Sequence, residues 1–196
     1  MAHFLSRPLL EHLLFIVFIS MICVLILARF TVFKTTDKRS LIGSLFYDPI
    51  VAFTIAVTTY SYFASYYNSY IPLIIPLALY LCASSLFFWA LKTTRELKFA
   101  LSKSPEKLVI TGAFLFVRHP YYTSYILTWT ASCLVYSSPL LWATLVYLTG
   151  FYLYSARQEE TSFLQGKHSN DYRFYKQTVG MFLPRIAAWT SSPSEK

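Results

Sequence analysis

Charge is what this chain has least of. Only 13% of its 196 residues are Asp, Glu, Lys or Arg, about half the share of an ordinary soluble domain. Acidic residues are the scarcer sign, 9 against 17 Lys and Arg. Cysteine is nearly absent too. Cys23, Cys82 and Cys133 are scattered through apolar runs, with no CxxC and no Cys/His cluster. That excludes a disulfide framework and a zinc site, and the three read as small buried hydrophobes. Glycine numbers five, and no Gly-rich or RNA-binding motif accompanies the net charge of +8. Nucleic acid is therefore not the expected partner. Basic residues gathered on the cytoplasmic side of a membrane account for the sign.

What is abundant is apolar and aromatic: 56% and 19% of residues, with a mean hydropathy of +0.47. The expected fold class is an all-α integral membrane protein with about five transmembrane helices. A bilayer takes about 20 apolar residues in a helix. The first run, Leu13–Phe33, meets that length; Glu11 and His12 sit at its outer flank, where solvent exposure is expected. No small-residue cleavage site follows it, so it reads as an uncleaved span. Lys34–Ser44 reads as a polar loop. Asp48-Pro49 has the form of an N-cap followed by a first-turn proline, opening a second span to about Tyr67. Thr58, Thr59, Tyr60 and Tyr62 on it suit helix packing or interfacial anchoring. A turn at Asn68-Ser69 leads to a third span, Ile71–Leu91.

Lys92–Arg118 is polar and basic, too long for a plain connection, and is a candidate wall for a ligand. Two apolar halves follow, Pro120–Tyr136 and Leu140–Ala156, broken by Ser137-Ser138-Pro139. Each is roughly 17 residues, about 25 Å of helix, which is enough for a fourth and fifth span. The tail reads as a helix over Glu159–Tyr175, stopped by Pro184 and followed by a frayed Ser-Pro-Ser-Glu-Lys end. On this plan residues 1–91 hold three spans. Residues 92–196 hold the loop, a transmembrane hairpin over 120–156 and a C-terminal helical region. Fifteen of the seventeen Lys and Arg residues fall on one side and only Arg7 on the other. The N-terminus is expected outside, and the tail with any active site in the cytoplasm.

The chemistry-bearing residues stand at the ends of that hairpin. The residue before a proline is pushed out of the helical region, and Pro120 fits a first helical turn. Arg118 and His119 are thereby held at the helix mouth. The returning helix ends at Arg157-Gln158-Glu159-Glu160, so about 40 residues of sequence separation become proximity at one surface. Carboxylates can hold an ammonium, a forked Arg can hold a carboxylate, and Phe114, Phe116, Tyr121 and Tyr122 can stack on a base or face a cation. A zwitterionic ligand would fit. An ion pair that only anchors the hairpin fits the same residues equally well.

The run from Leu108 to Tyr122, with Thr111-Gly112 and Val117-Arg118-His119-Pro120-Tyr121-Tyr122, resembles the signature of the isoprenylcysteine carboxyl methyltransferase family. That family is related to the membrane phospholipid N-methyltransferases. Glu159-Glu160, Tyr172-x-x-Tyr175 and Phe182-Leu183-Pro184-Arg185 follow in the family's order, over roughly residues 90–186. Ala113-Phe114, Ser124 and His168-Ser169 depart from its Pro-Tyr, Gly and Phe-Gly. The resemblance implies a membrane enzyme using S-adenosylmethionine. Gly112, Arg118, His119, Pro120, Tyr122, Glu159 and Glu160 would line the cofactor. His119 and Glu160 would serve catalysis, with Arg185 anchoring a substrate carboxylate and no metal. The acceptor would be a lipophilic membrane substrate entering from the lipid bilayer. An isoprenylcysteine-like carboxylate is expected, since it needs no general base and candidate bases are few. A phospholipid amine and a non-catalytic scaffold are the alternatives, and a sterol-type reductase would need more spans. The number of copies in the assembly is left open.

Overall fold

The structure is a computed structural model that describes residues 9–31, 38–64, 71–100 and 108–185. No strand occurs among the described residues. The described residues form seven helices in order: α1 Leu9–Thr31, α2 Lys38–Phe63, α3 Ile74–Ala100, α4 Ala113–Phe116, α5 Pro120–Tyr136, α6 Pro139–Gln165 and α7 Ser169–Thr178. Two of them, through Leu9–Leu27 and Ile74–Thr94, are long and apolar enough to cross a membrane.

The chain divides into two compact units, Met1–Cys82 with Ile126–Phe151, and Ala83–Tyr125 with Tyr152–Lys196. In the first, α1 buries Glu11, Leu14, Phe18, Met21 and Ile22, a stripe at helical spacing. The stripe explains one correction. Glu11 is not exposed at a helix end: α1 starts early enough to put it in the buried stripe, 1% exposed. His12 Nδ1 lies 2.7 Å from the Tyr62 hydroxyl, and Phe15 stacks on Tyr62 at 3.7 Å. On α2 the buried side chains are hydroxyl-bearing, Thr54, Thr58, Ser61 and Tyr62, while Leu45, Phe46, Phe53 and Phe63 are exposed. Thr54 and Thr58 donate to the carbonyls four residues back, at 2.7 and 2.8 Å, so burying them leaves no unpaired hydroxyl. Hydroxyls inside and large apolar groups outside are the distribution of helices that pack in lipid. A cavity of about 500 Å³ lies between Ala56, Val57, Tyr60, Ser61 and the turn from Tyr136 to Leu140.

Besides the early start of α1, helix bounds differ from expectation in four places. α2 runs straight through Asp48-Pro49 from Lys38, so those residues are helix interior and not a start. An apolar bundle tolerates the lost bond there. α3 continues past Leu91 to Ala100, turning the first third of the expected loop into helix. α6 continues past Ala156 to Gln165, so Glu159 and Glu160 ride on a helix. α7 begins only at Ser169 and is closed by Val179, well before Pro184. Cys23 and Cys82 are exposed and only Cys133 is buried. The Asn68 turn, residues 34–37 and the last residues lie outside the described ones. α5 starts at Pro120 and ends at Tyr136 as expected. Ser137 follows with a φ of 46°, its N–H bonded to Cys133 O at 2.7 Å, a left-handed helix end.

Candidate active site

The second unit is built around the residues that precede α5. Gly112 has a φ of 56° and ψ of −127°, a backbone open to glycine. A Cβ there would sit 2.3 Å from Thr93 Oγ1. That close approach seats α4 on α3, where Leu86, Ala90, Ala113 and Val117 form a buried cluster with Tyr121 against it. Val117 then turns extended. The N–H groups of Arg118 and His119 donate to the carbonyls of Gly180 (2.8 Å) and Met181 (3.1 Å). Gly180 is needed for this, since a Cβ would meet Leu183 O at 1.9 Å.

Those pairings aim both side chains at α6. Arg118 places Nε 2.9 Å and Nη2 2.8 Å from one oxygen of Glu160, Oε1. His119 Nε2 lies 3.3 Å from the same oxygen. Lys176 Nζ takes the other, Oε2, at 3.0 Å. The Glu160 side chain is only 3% exposed. Burial alone would raise its carboxyl, but the hydrogen bonds from Lys176 and Arg118 and their charges outweigh it and hold the group below the usual carboxylate range. Glu159 is the open carboxylate, 48% exposed. It accepts a short hydrogen bond from the Tyr122 hydroxyl, and its Oε2 is 3.4 Å from His119 Nδ1. His119 thus lies between two carboxylates, one at each ring nitrogen. A carboxylate only accepts, so the tautomer of a neutral ring decides which glutamate it binds.

Aromatic rings wall the same place. His119 stacks with Tyr122 at 5.7 Å and Tyr122 with Tyr152 at 5.4 Å, while Phe182 meets His119 edge-on at 6.0 Å. The terminal helix is fastened by Arg118, whose Nη1 donates to the carbonyls of Lys176 at 3.2 Å and of Val179. Tyr175 donates to Phe114 O at 2.5 Å. Tyr172, Tyr175 and Val179 are buried against Leu108, Phe163 and Leu164. Burial first, then the charge of Glu160, raise the Tyr172 phenol above its ordinary value, so it stays neutral beside the cluster.

Of the residues picked out from sequence, Arg118, His119, Tyr122, Glu159 and Glu160 come together. Pro120 starts α5 and is buried. Gly112 serves the α4–α3 contact. Arg185 is exposed and donates to Gln177 O, so it caps the end of α7. Lys176 went unnoticed in sequence. Its signal was position: it stands one turn after Tyr172 and next to Tyr175, at the edge of the buried stripe they share with Val179. The carbonyls of Val179, Gly180 and Met181 had no side-chain signal at all.

A half-exposed carboxylate, a braced histidine and stacked rings suit a ligand that carries a cation and a flat base. Residues 71–171 match the phospholipid methyltransferase family, more than half of the 196-residue chain. No match was found among the curated proteins or the solved structures. The matched stretch contains Arg118, His119, Glu159 and Glu160, and on that match the chain belongs to the phospholipid methyltransferase family.

Proposed function

We propose that the protein is a membrane methyltransferase that takes its methyl group from S-adenosylmethionine and passes it to a lipophilic acceptor. The observation that carries this is the Arg118–His119–Glu159–Glu160 cluster inside a methyltransferase-family match. The residues fit such a cofactor: Glu159 offers an open carboxylate to a cation, and the His119, Tyr122, Tyr152 and Phe182 rings offer faces and edges to a base. When bound, the cofactor supplies an electrophilic methyl group. The chain's own part is to position the two reactants, and positioning supplies most of the catalysis in an in-line displacement. His119 can receive the proton an amine gives up, and the glutamate at its far nitrogen stabilises the charge so formed.

The preferred acceptor is an amine headgroup on a phospholipid. Glu159 is half-exposed and draws a cation, whereas the partly exposed Lys176 is already engaged by Glu160. An isoprenylcysteine carboxylate is the second reading, favoured by Arg185, which has donors beyond the one given to Gln177 O. Five spans with the N-terminus outside remain the proposed topology. α2 and α6 carry exposed Phe46, Phe53, Trp142 and Val146, and α5 is 17 residues long.

Calorimetry on the detergent-purified chain tests the cofactor: no binding at millimolar S-adenosylmethionine sinks the enzyme reading. Methyl-labelled cofactor offered with phosphatidylethanolamine, a farnesylcysteine analogue and a small thiol then reads the acceptor directly. Label in the phospholipid is the expected result, and label in farnesylcysteine alone establishes the second reading instead.

A further inference from the structure

Glu160 is unusual in how its two oxygens are shared. Oε1 holds Arg118 through two nitrogens and His119 through a third. Oε2 holds Lys176 at 3.0 Å. The cations differ in freedom. Arg118 is buried and also grips the carbonyls of Lys176 and Val179, so it cannot leave without undoing the end of α7. The Lys176 side chain is 44% exposed, on a flexible four-carbon stem whose ammonium is readily rehydrated. Its backbone stays in place when the side chain swings, because Tyr172, Tyr175 and Val179 remain buried on the same face.

We propose that Lys176 is a movable counter-cation: it leaves Glu160 Oε2 when a ligand brings positive charge into the site, and returns when that charge is gone. This rests on the S-adenosylmethionine reading above. Among the four charged side chains around His119 the balance is even with Lys176 in place, Arg118 and Lys176 against Glu159 and Glu160. With Lys176 swung out, the site carries one net negative charge. S-adenosylmethionine carries a sulfonium, an ammonium and a carboxylate, one net positive charge, which restores the balance. In the transfer, an acceptor lone pair forms the new bond to the methyl carbon. The carbon–sulfur bond breaks with its electron pair left on sulfur, and the sulfonium becomes a neutral thioether. The positive charge leaves with the acceptor, or is cancelled if the acceptor is an anion. The site is then one charge short, and Lys176 can return to Oε2. Its movement keeps these four side chains and the ligand in charge balance in the free, donor-bound and product-bound states. Beside the buried Glu160 carboxylate, 3% exposed, an unbalanced charge is costly, so Lys176 distinguishes the fresh cofactor from the demethylated one.

The test is binding, independent of turnover. Titrate S-adenosylmethionine and S-adenosylhomocysteine separately into wild-type, Lys176→Met and Lys176→Arg protein in detergent, and record thermal unfolding without ligand as a control for folding. Lys176→Met removes the competitor. It is expected to tighten the sulfonium ligand about tenfold, some 1.4 kcal/mol, while the neutral thioether changes less than about threefold. Lys176→Arg keeps the charge and is expected to bind both as wild type does. Should Lys176→Met not fold, Lys176→Gln gives the same readout while keeping a donor for Oε2. If both ligands weaken together, Lys176 is a positioning residue and the proposal fails. It also fails if both tighten equally, which marks a steric plug, or if neither changes. Wild-type protein that binds neither ligand overturns the methyl-donor reading first, and this one with it.

Discussion

Replacing Glu160 by glutamine keeps the side chain's size and removes its charge, which separates the electrostatic role of this residue from its packing. Glu160 receives Arg118 at 2.8 and 2.9 Å, His119 at 3.3 Å and Lys176 at 3.0 Å. Removing one partner of a buried ion pair costs about 3–5 kcal/mol. The amide oxygen can still accept from Arg118, and Lys176 is partly in water, so the lower end applies. A loss of about 3 kcal/mol is on the order of a hundredfold in an equilibrium. The loss should be local, because Arg118, which this carboxylate holds, fastens the end of α7 through the carbonyls of Lys176 and Val179. The assay is amide hydrogen exchange of the detergent-solubilised protein at neutral pH. Residues 169–181 should open on the order of a hundredfold more often in Glu160→Gln, with α1 unchanged. Glu159→Gln is the control. Its side chain is 48% exposed, so its loss amounts to at most about 1 kcal/mol, roughly fivefold. Equal effects of the two substitutions, or exchange that rises as much in α1 as in α7, would refute the placement of Glu160 as the anchor.

Gly112→Ala forces a side chain into a glycine backbone conformation, costing about 1–3 kcal/mol, and drives its Cβ against Thr93 Oγ1. Adding Thr93→Ala should recover only the steric part in thermal unfolding, with a coupling of about 1 kcal/mol; full recovery would mean the backbone is not strained. The Glu160 carboxyl lies below its ordinary value in the folded protein. Its stabilisation is therefore present above the unfolded value of about 4.3 and lost as pH falls through the folded one. Thermal unfolding followed from pH 7 downward should show an acid loss beginning below about pH 4.3 that is missing in Glu160→Gln.

The parts of this structure that sequence made legible are those written in a few adjacent residues. Pro120 and Ser137-Ser138-Pro139 bound α5 on both sides, and from those two stops the meeting of Arg118-His119 with Glu159-Glu160 followed. The same kind of local sign misled at Asp48-Pro49. A cap and a tolerated interior proline look alike until the preceding turn is known to be helical. α6 overran its expected end because Arg157, Gln158 and Glu159 are good helix formers, although the apolar pattern stops at Ala156. Glu11 was misjudged by charge, when its spacing from Leu14 and Phe18 put it on the buried face. Lys176 was hidden for the opposite reason: in a basic tail one more lysine draws no notice, and only its place at the edge of the stripe of Tyr172, Tyr175 and Val179 marks it. The partners of the Arg118 and His119 amides are carbonyls, which every residue has.

Those amide partners set an order of events during synthesis. Arg118 leaves the ribosome about 60 residues before Val179, to whose carbonyl it bonds. At about 5–20 residues per second that is an interval of several seconds. Throughout it, α5 can form, yet Arg118, His119 and Glu160 lack the segment that organises them. Chains released late in that window, once the helix ending at Gln165 is complete, would carry α1 to α6 and most of the recognisable motif while having no assembled site. Quality control acting on this protein therefore has its natural substrate in chains interrupted between residues 165 and 181, for which formed α1 to α6 are no guarantee of a finished site.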